Sequence, residues 1–449
     1  MKKKREIDLR IDRLIFPNLA EGLYNEKPIR LKGAIPGQLV RARLGKNKKN
    51  YKEAKLIQIL ERSDLETNEP CPNFEICGGC SYQTLKLETE LELKKKSIED
   101  LINGIGVEKN LIVHKNPKPY GYRNKMEYTF GDSVKDGPIV LGLHRRGRYY
   151  EIVDTVDCNI VHPDYEIIRT NLMNYFRNSN KMKYRKMSRE GFLRHLVIRY
   201  ALSTGEIMVN LVTTSQDELD EIEFTKLLLD LELEGNIVSI LHTVNDDPAD
   251  AVKSDFTKII YGRDYIFEKV LGLDFKVSAF SFFQPNVFGI ENLYSRVLEL
   301  CGDIEDLTIF DLYSGTGTIS QILAKSAKKV IGVEIVEEAV EAAKENAKLN
   351  KIENVEFRAN DVLKELENLD SPPQLIVLDP PRSGIHPKAL QGILEFKPEK
   401  FIYISCNPKS MAGDLNSFFE KGYKLENIEI FDQFTRTYHV ETIAMMSRE

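Results

Sequence analysis

Hydrophobic and polar positions alternate in short runs over residues 6–62: IDLRIDRLIF, PIRLKGAIPG, QLVRARLG and EAKLIQILE. Gly22, Gly33, Pro36, Gly37 and Gly45 punctuate them. Alternation with period two, broken by regular turn signals, predicts short strands and hence a small β-barrel. The period then changes. Leu87, Leu91, Ile98 and Leu101 recur at helical spacing and Gly104 supplies a stop, so LKLETELELKKKSIEDLING is expected as a helix. Residues 116–270 return to strand-like segments: KMEYTFG, IVLGLHRRGRYYEIV, FLRHLVIRYA, EIMVNLVTT, NIVSILHTV and DYIFEKVLG. From residue 305 strands and helices alternate. TIFDLY precedes ISQILAKS, KVIGVEI precedes EEAVEAAKENAKLN, NVEFRA precedes DVLKELENL, QLIVLDP precedes HPKALQGIL, and KFIYISC precedes MAGDLNSFFEKG. This order predicts βαβ units and a parallel sheet. KLENIEIFDQF and HVETIAMMS follow and are expected as an added antiparallel pair at one edge.

The chain has 449 residues, which at ~100–200 residues per domain means two to four domains. With 42% hydrophobic and 29% charged residues, wholesale disorder is excluded. No apolar run approaches the ~18 residues of a membrane span, so no membrane partner is expected. The start MKKKREIDLR lacks the apolar stretch of a secretory signal, which points to a cytoplasmic location. The net charge of −6 hides an asymmetry: residues 1–60 hold 16 basic against 6 acidic residues, a surplus of +10, and the remainder carries −16. A basic front end on an acidic body suggests a nucleic-acid grip, or else a solvated lysine-rich surface. A basic barrel can hold RNA backbone or make protein contacts. The central segment is also locally basic, at Arg123 to Lys125, His144 to Arg146, and Lys181 to Arg199. These stretches suit either a phosphate-following sheet face or an ordinary solvated one.

The first strand of the alternating region ends in Asp311-Leu312-Tyr313-Ser314-Gly315-Thr316-Gly317-Thr318. Glycines there let backbone approach a ligand at the carboxyl end of a parallel strand. The next strand ends at Glu334, 19 positions after Gly315, where an acid can accept the ribose hydroxyls of an adenosine. Asn360-Asp361 closes the third strand. NAD needs a fuller glycine set around its pyrophosphate. S-adenosylmethionine carries no phosphate, and its sulfonium favours an acid such as Asp311.

The fourth strand runs into LDPPRSG, with Asp379, Pro380, Pro381 and Arg382, a rigid segment suited to holding a planar base. The fifth runs into YISCNP, leaving Cys406 at the strand end where ligands bind in such sheets. A thiolate there is the natural nucleophile, whereas Cys301 in a leucine-rich helix reads as inert. On the terminal hairpin, His439 and Glu441 are candidate proton acceptors. Cys71, Cys77 and Cys80 are clustered and Cys158 lies far downstream; four thiolates in this 3+1 spacing suit zinc or an iron–sulfur cluster.

The motifs DLYSGTGT, LDPPRSG, SCNP and HVE, with FSFFQPN (Phe280 to Asn286) and FLRHLVIR, resemble the RNA uracil-5-methyltransferase family (RumA/TrmA type) along nearly the whole chain. The resemblance implies an α/β fold: a Rossmann-like class I methyltransferase domain, an N-terminal OB-like (TRAM) β-barrel, and a β-rich central domain carrying an iron–sulfur motif. The expected boundaries are 1–62 for the barrel, 63–85 with 116–270 for the central domain, and 86–115 with 271–449 for the methyltransferase domain. It implies Cys406 as nucleophile at C6 of uracil and Glu441 as the base removing the C5 proton. Gln284, Tyr313, Glu334 and Asp379 match donor-contact positions, and Cys71, Cys77, Cys80 and Cys158 match ligands of a [4Fe–4S] cluster. The implied cofactors are S-adenosylmethionine and that cluster. The implied partner is RNA, with the cysteine quartet pointing to 23S ribosomal RNA, and the chain is expected to be a monomer that does not act on DNA. The rival readings are a transfer-RNA uridine methyltransferase and a non-catalytic RNA-binding or ribosome-assembly factor.

Overall fold

A computed structural model describes residues 5–67, 71–248, 256–365 and 373–448. The first lysines of the chain and the LENL end of the DVLKELENL segment lie outside them. The chain divides into two compact units, one formed by residues 1–70, 80–116 and 370–449, the other by residues 71–79 and 117–369. Among the described residues no helix is long and apolar enough to cross a membrane.

In the first unit, the alternating runs form six strands: Glu6–Arg10, Arg13–Ile15, Leu19–Tyr24, Lys27–Leu31, Leu39–Asn47 and Lys52–Glu61. Inward apolar residues such as Ile7, Leu9, Ile29, Leu31, Val40 and Ala42 make one core. The sheet curls so tightly that a Cβ on Gly22 would lie 2.0 Å from the carbonyl oxygen of Arg10, so only glycine fits there. Several barrel arginines are consumed internally. Glu21 is buried between Arg13 (2.7 Å) and Arg30 (2.6 Å), while Arg41 and Arg43 pair with Asp8 and Glu6.

The same unit holds the later strands. Leu375–Leu378 runs parallel to Lys400–Ser405, which pairs antiparallel with Glu441–Ser447; that strand pairs antiparallel with Lys424–Phe431. The antiparallel pair expected from the sequence is therefore present. It is extended by a short strand, Ile112–His114, lying parallel to Lys424–Phe431. Three residues carry too little periodicity to be read from a sequence.

The helix Leu87–Asn103 ends at Gly104 as expected, but its apolar residues do not define its inner face. Leu87, Leu91 and Leu101 are half-buried, while Glu90, Lys94, Ser97, Ile98 and Ile102 are buried. Lys94 Nζ donates to Glu90 (2.7 Å) and to Asp432 (2.6 Å). The amide of Arg436 donates to Glu90, and its guanidinium to the carbonyl oxygens of Tyr82 and Leu85. A fully enclosed cation between two carboxylates thus ties this helix to the segment that leads into Glu441.

The second unit contains a seven-stranded sheet in the order Arg148–Asp154, Val140–Arg145, Lys125–Gly131, Leu193–Tyr200, Glu206–Thr213, Asn236–Val244, Phe256–Gly262. All neighbours are antiparallel except Glu206–Thr213 with Asn236–Val244. Leu193–Tyr200 is buried along its whole length, so two of its arginines face neither solvent nor phosphate. Arg194 donates to the carbonyl oxygens of Asn245 (2.6 Å) and Asp247 (2.8 Å), and Arg199 to those of Ala279 and Ser281. Carbonyl oxygens supply the acceptors that a buried guanidinium requires. The unit also carries Thr308–Leu312, Lys329–Glu334 and Val355–Ala359, paired parallel in that spatial order and interleaved with the helices Thr318–Ala324 and Glu337–Leu349.

Replacing Lys94 by Met leaves two enclosed carboxylates without their cation. Loss of one partner of a buried ion pair costs about 3–5 kcal/mol, so Lys94→Met is expected to lower the urea midpoint by a corresponding amount, read by circular dichroism.

Candidate active site

In the second unit the glycine turn forms as the sequence predicts. Tyr313 (φ +67), Gly315 (φ +53) and Gly317 (φ +74) are all left-handed. The Gly317 position admits no side chain, since a Cβ there would lie 2.5 Å from the Phe357 ring. Nothing lies within 4 Å of where a Cβ on Gly315 would be, so backbone is open to a ligand at that point. Glu334 stands beside the turn. Its carboxylate accepts the amides of Gly315 (3.1 Å), Ile335 (2.8 Å) and Val336 (3.0 Å), which fixes its orientation. Asp311 is enclosed, accepts the Ser320 hydroxyl at 2.5 Å, and burial pushes its carboxyl up to about 7. That bond ties the strand Thr308–Leu312 to the helix Thr318–Ala324 across the glycine turn. Gln284 lies in a segment held by buried polar groups: Asn124 donates its side-chain amide to the Gln284 carbonyl oxygen (2.9 Å) and its backbone amide to that of Pro285 (2.9 Å).

In the first unit, strand register brings together the residues that carry chemistry. Ser405 pairs with Thr442, and the Thr442 hydroxyl donates to the Ser405 carbonyl oxygen at 2.9 Å. Cys406 and Glu441 are the next residues outward on either side of that pair. The LDPPRSG segment is fastened to the same place. Asn407 Nδ2 donates to the Arg382 carbonyl oxygen (2.8 Å), and Asp414 accepts both the Ile385 amide (3.2 Å) and the Tyr403 hydroxyl (2.7 Å).

The electrostatics of this group are adverse to resting charge. Partial burial pushes the Cys406 thiol up to about 11; the Glu441 carboxylate adds to the shift, a hydrogen bond from the Arg382 guanidinium opposes it, and Asp379 adds a smaller repulsion. Glu441, only 5% exposed, is held well above the usual carboxylate range by burial and by Asp379, again opposed by Arg382. Three acids thus face one cation, and perturbed groups of this kind mark functional sites. His439, the other candidate base, is packed against the Tyr438 ring (4.1 Å between centroids) and edge-on to Phe434 (5.9 Å). Cys301 is buried at a helix end, as expected of an inert thiol. Arg382 had no role assigned from its sequence position. The signal was there: a cation two residues past a strand-terminal Asp-Pro.

A sequence model of the tRNA (uracil-5-)-methyltransferase family matches residues 244–449. A protein of Caldanaerobacter subterraneus subsp. tengcongensis, described as an uncharacterized RNA methyltransferase, is 45% identical over 450 residues, spanning 100% of both chains. One of Clostridium tetani with the same description is 44% identical over 451 residues, 100% of this chain and 99% of its own. The crystal structure of Pyrococcus abyssi tRNA (uracil-54, C5)-methyltransferase in complex with S-adenosyl-L-homocysteine is similar with a TM-score of 0.78 and 26% identity, covering 98% of this chain and 100% of that one. The chain belongs to the RNA uracil-5-methyltransferase family. Methyl transfer from S-adenosylmethionine to RNA is accordingly its class of reaction.

Membership in this family raises the matter of the cysteine cluster. Cys71, Cys77 and Cys158 influence one another: burial raises the Cys77 thiol with a contribution from Cys71, and raises Cys158 to about 11 with contributions from Cys71 and Cys77. The Gly79 amide donates to Cys77 Sγ at 3.3 Å. In the other unit Cys80 accepts the Gln83 side-chain amide at 3.5 Å. The donors are chemically suited to iron. Among the described residues, however, no group of three or more Cys, His, Asp or Glu is placed to hold a metal ion. No step of the chemistry is routed through these cysteines.

With the Cys406 thiol at about 11, the thiolate fraction rises tenfold per pH unit through neutrality. The logarithm of kcat/KM is expected to climb with pH with a slope near one. Arg382→Gln removes the hydrogen bond that lowers the thiol, so it should move this limb to higher pH and reduce kcat/KM at pH 7; an unmoved profile would separate Arg382 from the thiol.

Proposed function

We propose that this enzyme methylates C5 of a uridine in RNA, with 23S ribosomal RNA as substrate, through a covalent bond between Cys406 and C6 of the uracil. The observation that carries this reading is a half-buried thiol electrostatically coupled to a buried carboxylate and to a guanidinium that donates to it. Uracil C5 is a poor nucleophile. Cys406 adds to C6 as the thiolate, the C5=C6 electron pair shifts toward O4, and C5 gains enolate character. S-adenosylmethionine, when bound, supplies the electrophilic methyl group that C5 takes. Gln284, Tyr313 and Glu334, with Asp379, are assigned to donor contacts; the ordered carboxylate of Glu334 beside the open backbone at Gly315 suits ribose hydroxyls. Glu441 then removes the C5 proton. The C–H electron pair restores the C5=C6 bond and expels the thiolate, which Arg382 stabilises. While sulfur is bonded to carbon, Glu441 faces no thiolate, so one repulsion that disfavours its ionised form is absent when it must act as a base.

The three-domain division stands as part of this reading, with residues 1–62 as a TRAM-type RNA-binding barrel in a cytoplasmic monomer. The four cysteines are assigned to a structural [4Fe–4S] cluster on their 3+1 spacing. Transfer RNA is the second reading for the substrate, favoured by the Pyrococcus abyssi enzyme, whose substrate is tRNA.

Cys406→Ala should abolish turnover and leave RNA binding nearly intact. Glu441→Gln should slow turnover by about 10²–10⁴-fold, the usual worth of a general base, and accumulate a methylated protein–RNA adduct. RNA containing 5-fluorouridine should trap wild-type protein on denaturing gels only when the methyl donor is present; absence of a Cys406-dependent adduct would overturn the mechanism. Unmodified 23S ribosomal RNA and transfer RNA, offered in parallel with mass-spectrometric mapping of 5-methyluridine, separate the two substrate readings. Protein purified without oxygen should contain about four iron and four sulfide per chain, and Cys158→Ser should lose both.

A further inference from the structure

The second unit brings together two basic stretches that lie some distance apart in sequence. The hairpin of Val140–Arg145 and Arg148–Asp154 turns through Arg146 and Gly147, the latter at φ +74. Arg145 pairs with Arg148, yet His144 pairs with Ile152, so Tyr149, Tyr150 and Glu151 are forced out of register. Such a bulge re-aims side chains. Here it turns two tyrosines toward solvent: Tyr149 is 49% and Tyr150 is 74% exposed.

The bulge is ordered by contacts of its own. His144 stacks on Tyr149 with centroids 4.3 Å apart and planes within 9°, and its Nδ1 donates to the Tyr149 carbonyl oxygen at 2.8 Å. Tyr150 stands edge-on to Tyr149 at 6.0 Å. The hairpin tip is docked on residues 71–79 by hydrogen bonds from the Arg146 amide to the Ile76 carbonyl oxygen (2.8 Å) and from the Gly78 amide to that of His144 (3.1 Å). The second stretch, KMKYRKMSR at residues 181–189, contains no acid. Its Lys186 places Nζ 5.5 Å from the Tyr149 ring, and the neighbouring Met187 is 87% exposed. Other cations nearby are spoken for: Glu151 pairs with Arg145 and Arg148, and Arg185 pairs with Asp136. Lys186 has no carboxylate partner among the described residues.

We propose that Tyr149 and Tyr150, with Lys186 beside them, form a platform on which an unpaired nucleobase of the RNA substrate stacks while the ammonium meets an adjacent phosphate. The inference rests on the RNA-methyltransferase reading and adds a subsite separate in role from the reacting group at Cys406. A flat, exposed, pre-ordered aromatic face with one uncommitted cation fits a base and its phosphate. A bound protein partner would more often find an apolar patch rimmed by mixed charge.

The test is filter binding of oligouridylate and of the same strand in duplex with oligoadenylate. Tyr150 is exposed, so Tyr150→Ala should fold normally, which circular dichroism checks. Tyr150→Ala is expected to weaken the single strand about 5- to 100-fold, the range of one base–aromatic stack, and the duplex far less. Tyr150→Phe should restore affinity. At saturating RNA, kcat should be unchanged and KM raised. Lys186→Gln should reduce the slope of log affinity against log salt by about 0.7, one single-strand phosphate contact. If wild type binds the single strand and Tyr150→Ala binds it equally, or loses single strand and duplex alike without rescue by Phe, the platform is overturned. If wild type binds neither RNA yet still forms the Cys406-dependent 5-fluorouridine adduct, the platform alone is overturned; if it does neither, the functional reading fails with it.

Discussion

The antiparallel pairing of Lys400–Ser405 with Glu441–Ser447 is the constraint on which the chemistry depends. It is a backbone ladder, finished by the Thr442 hydroxyl on the Ser405 carbonyl oxygen. A register slip of one residue would turn every side chain of the strand to its other face. The thiol and the carboxylate would then part. The ladder therefore does for this site what a rigid turn does elsewhere. It holds two reactive groups from distant parts of the sequence at adjacent positions without asking either to be fixed by its own side-chain contacts.

That closeness has an electrostatic consequence. Cys406, Glu441 and Asp379 all gain charge by losing a proton; Glu441 and Asp379 disfavour ionisation of Cys406, and Asp379 that of Glu441, in a partly desolvated place. Arg382 is the counterweight. Such a group suits charged forms used in succession rather than held together. On the proposed mechanism, sulfur carries charge before it bonds to carbon, and the carboxylate is needed only afterwards. The surrounding structure supports this economy of charge by fixing Arg382's own backbone through Asn407 and, further along, through Asp414.

Much of this was legible in the sequence. Alternation marked the barrel strands, and the change to βαβ order marked the parallel strands and their glycine turn. Gly317 is a glycine because Phe357 occupies the space a side chain would need, and that necessity leaves a trace a reader can find. Buried charge leaves none. Glu90 and Lys94 look like a solvated helix face because their partner Asp432 is 338 positions from Lys94. Arg194 and Arg199 looked like a phosphate-binding run because nothing local announces that carbonyl oxygens wait for them inside. The pattern reads hydrophobic burial, and polar burial is decided by tertiary partners.

The same reasoning separates two kinds of basic residue that composition treats alike. A guanidinium with planar, multiple donors can be satisfied by carbonyl oxygens and taken inside, as at Arg194 and Arg199. A lysine ammonium in the 181–189 run has weaker claims on the interior, and Lys186 is left over an exposed tyrosine ring. Net charge in the central segment therefore overstates what is available to RNA. The proposed platform offers RNA one ammonium beside two exposed aromatic rings. Recognition of that kind favours unstacked bases over duplex backbone. A uracil must leave its stack before any thiol can add to its C6, at a cost of a few kcal/mol. A platform of the proposed kind would select, before any chemistry, the RNA segments in which that cost is lowest.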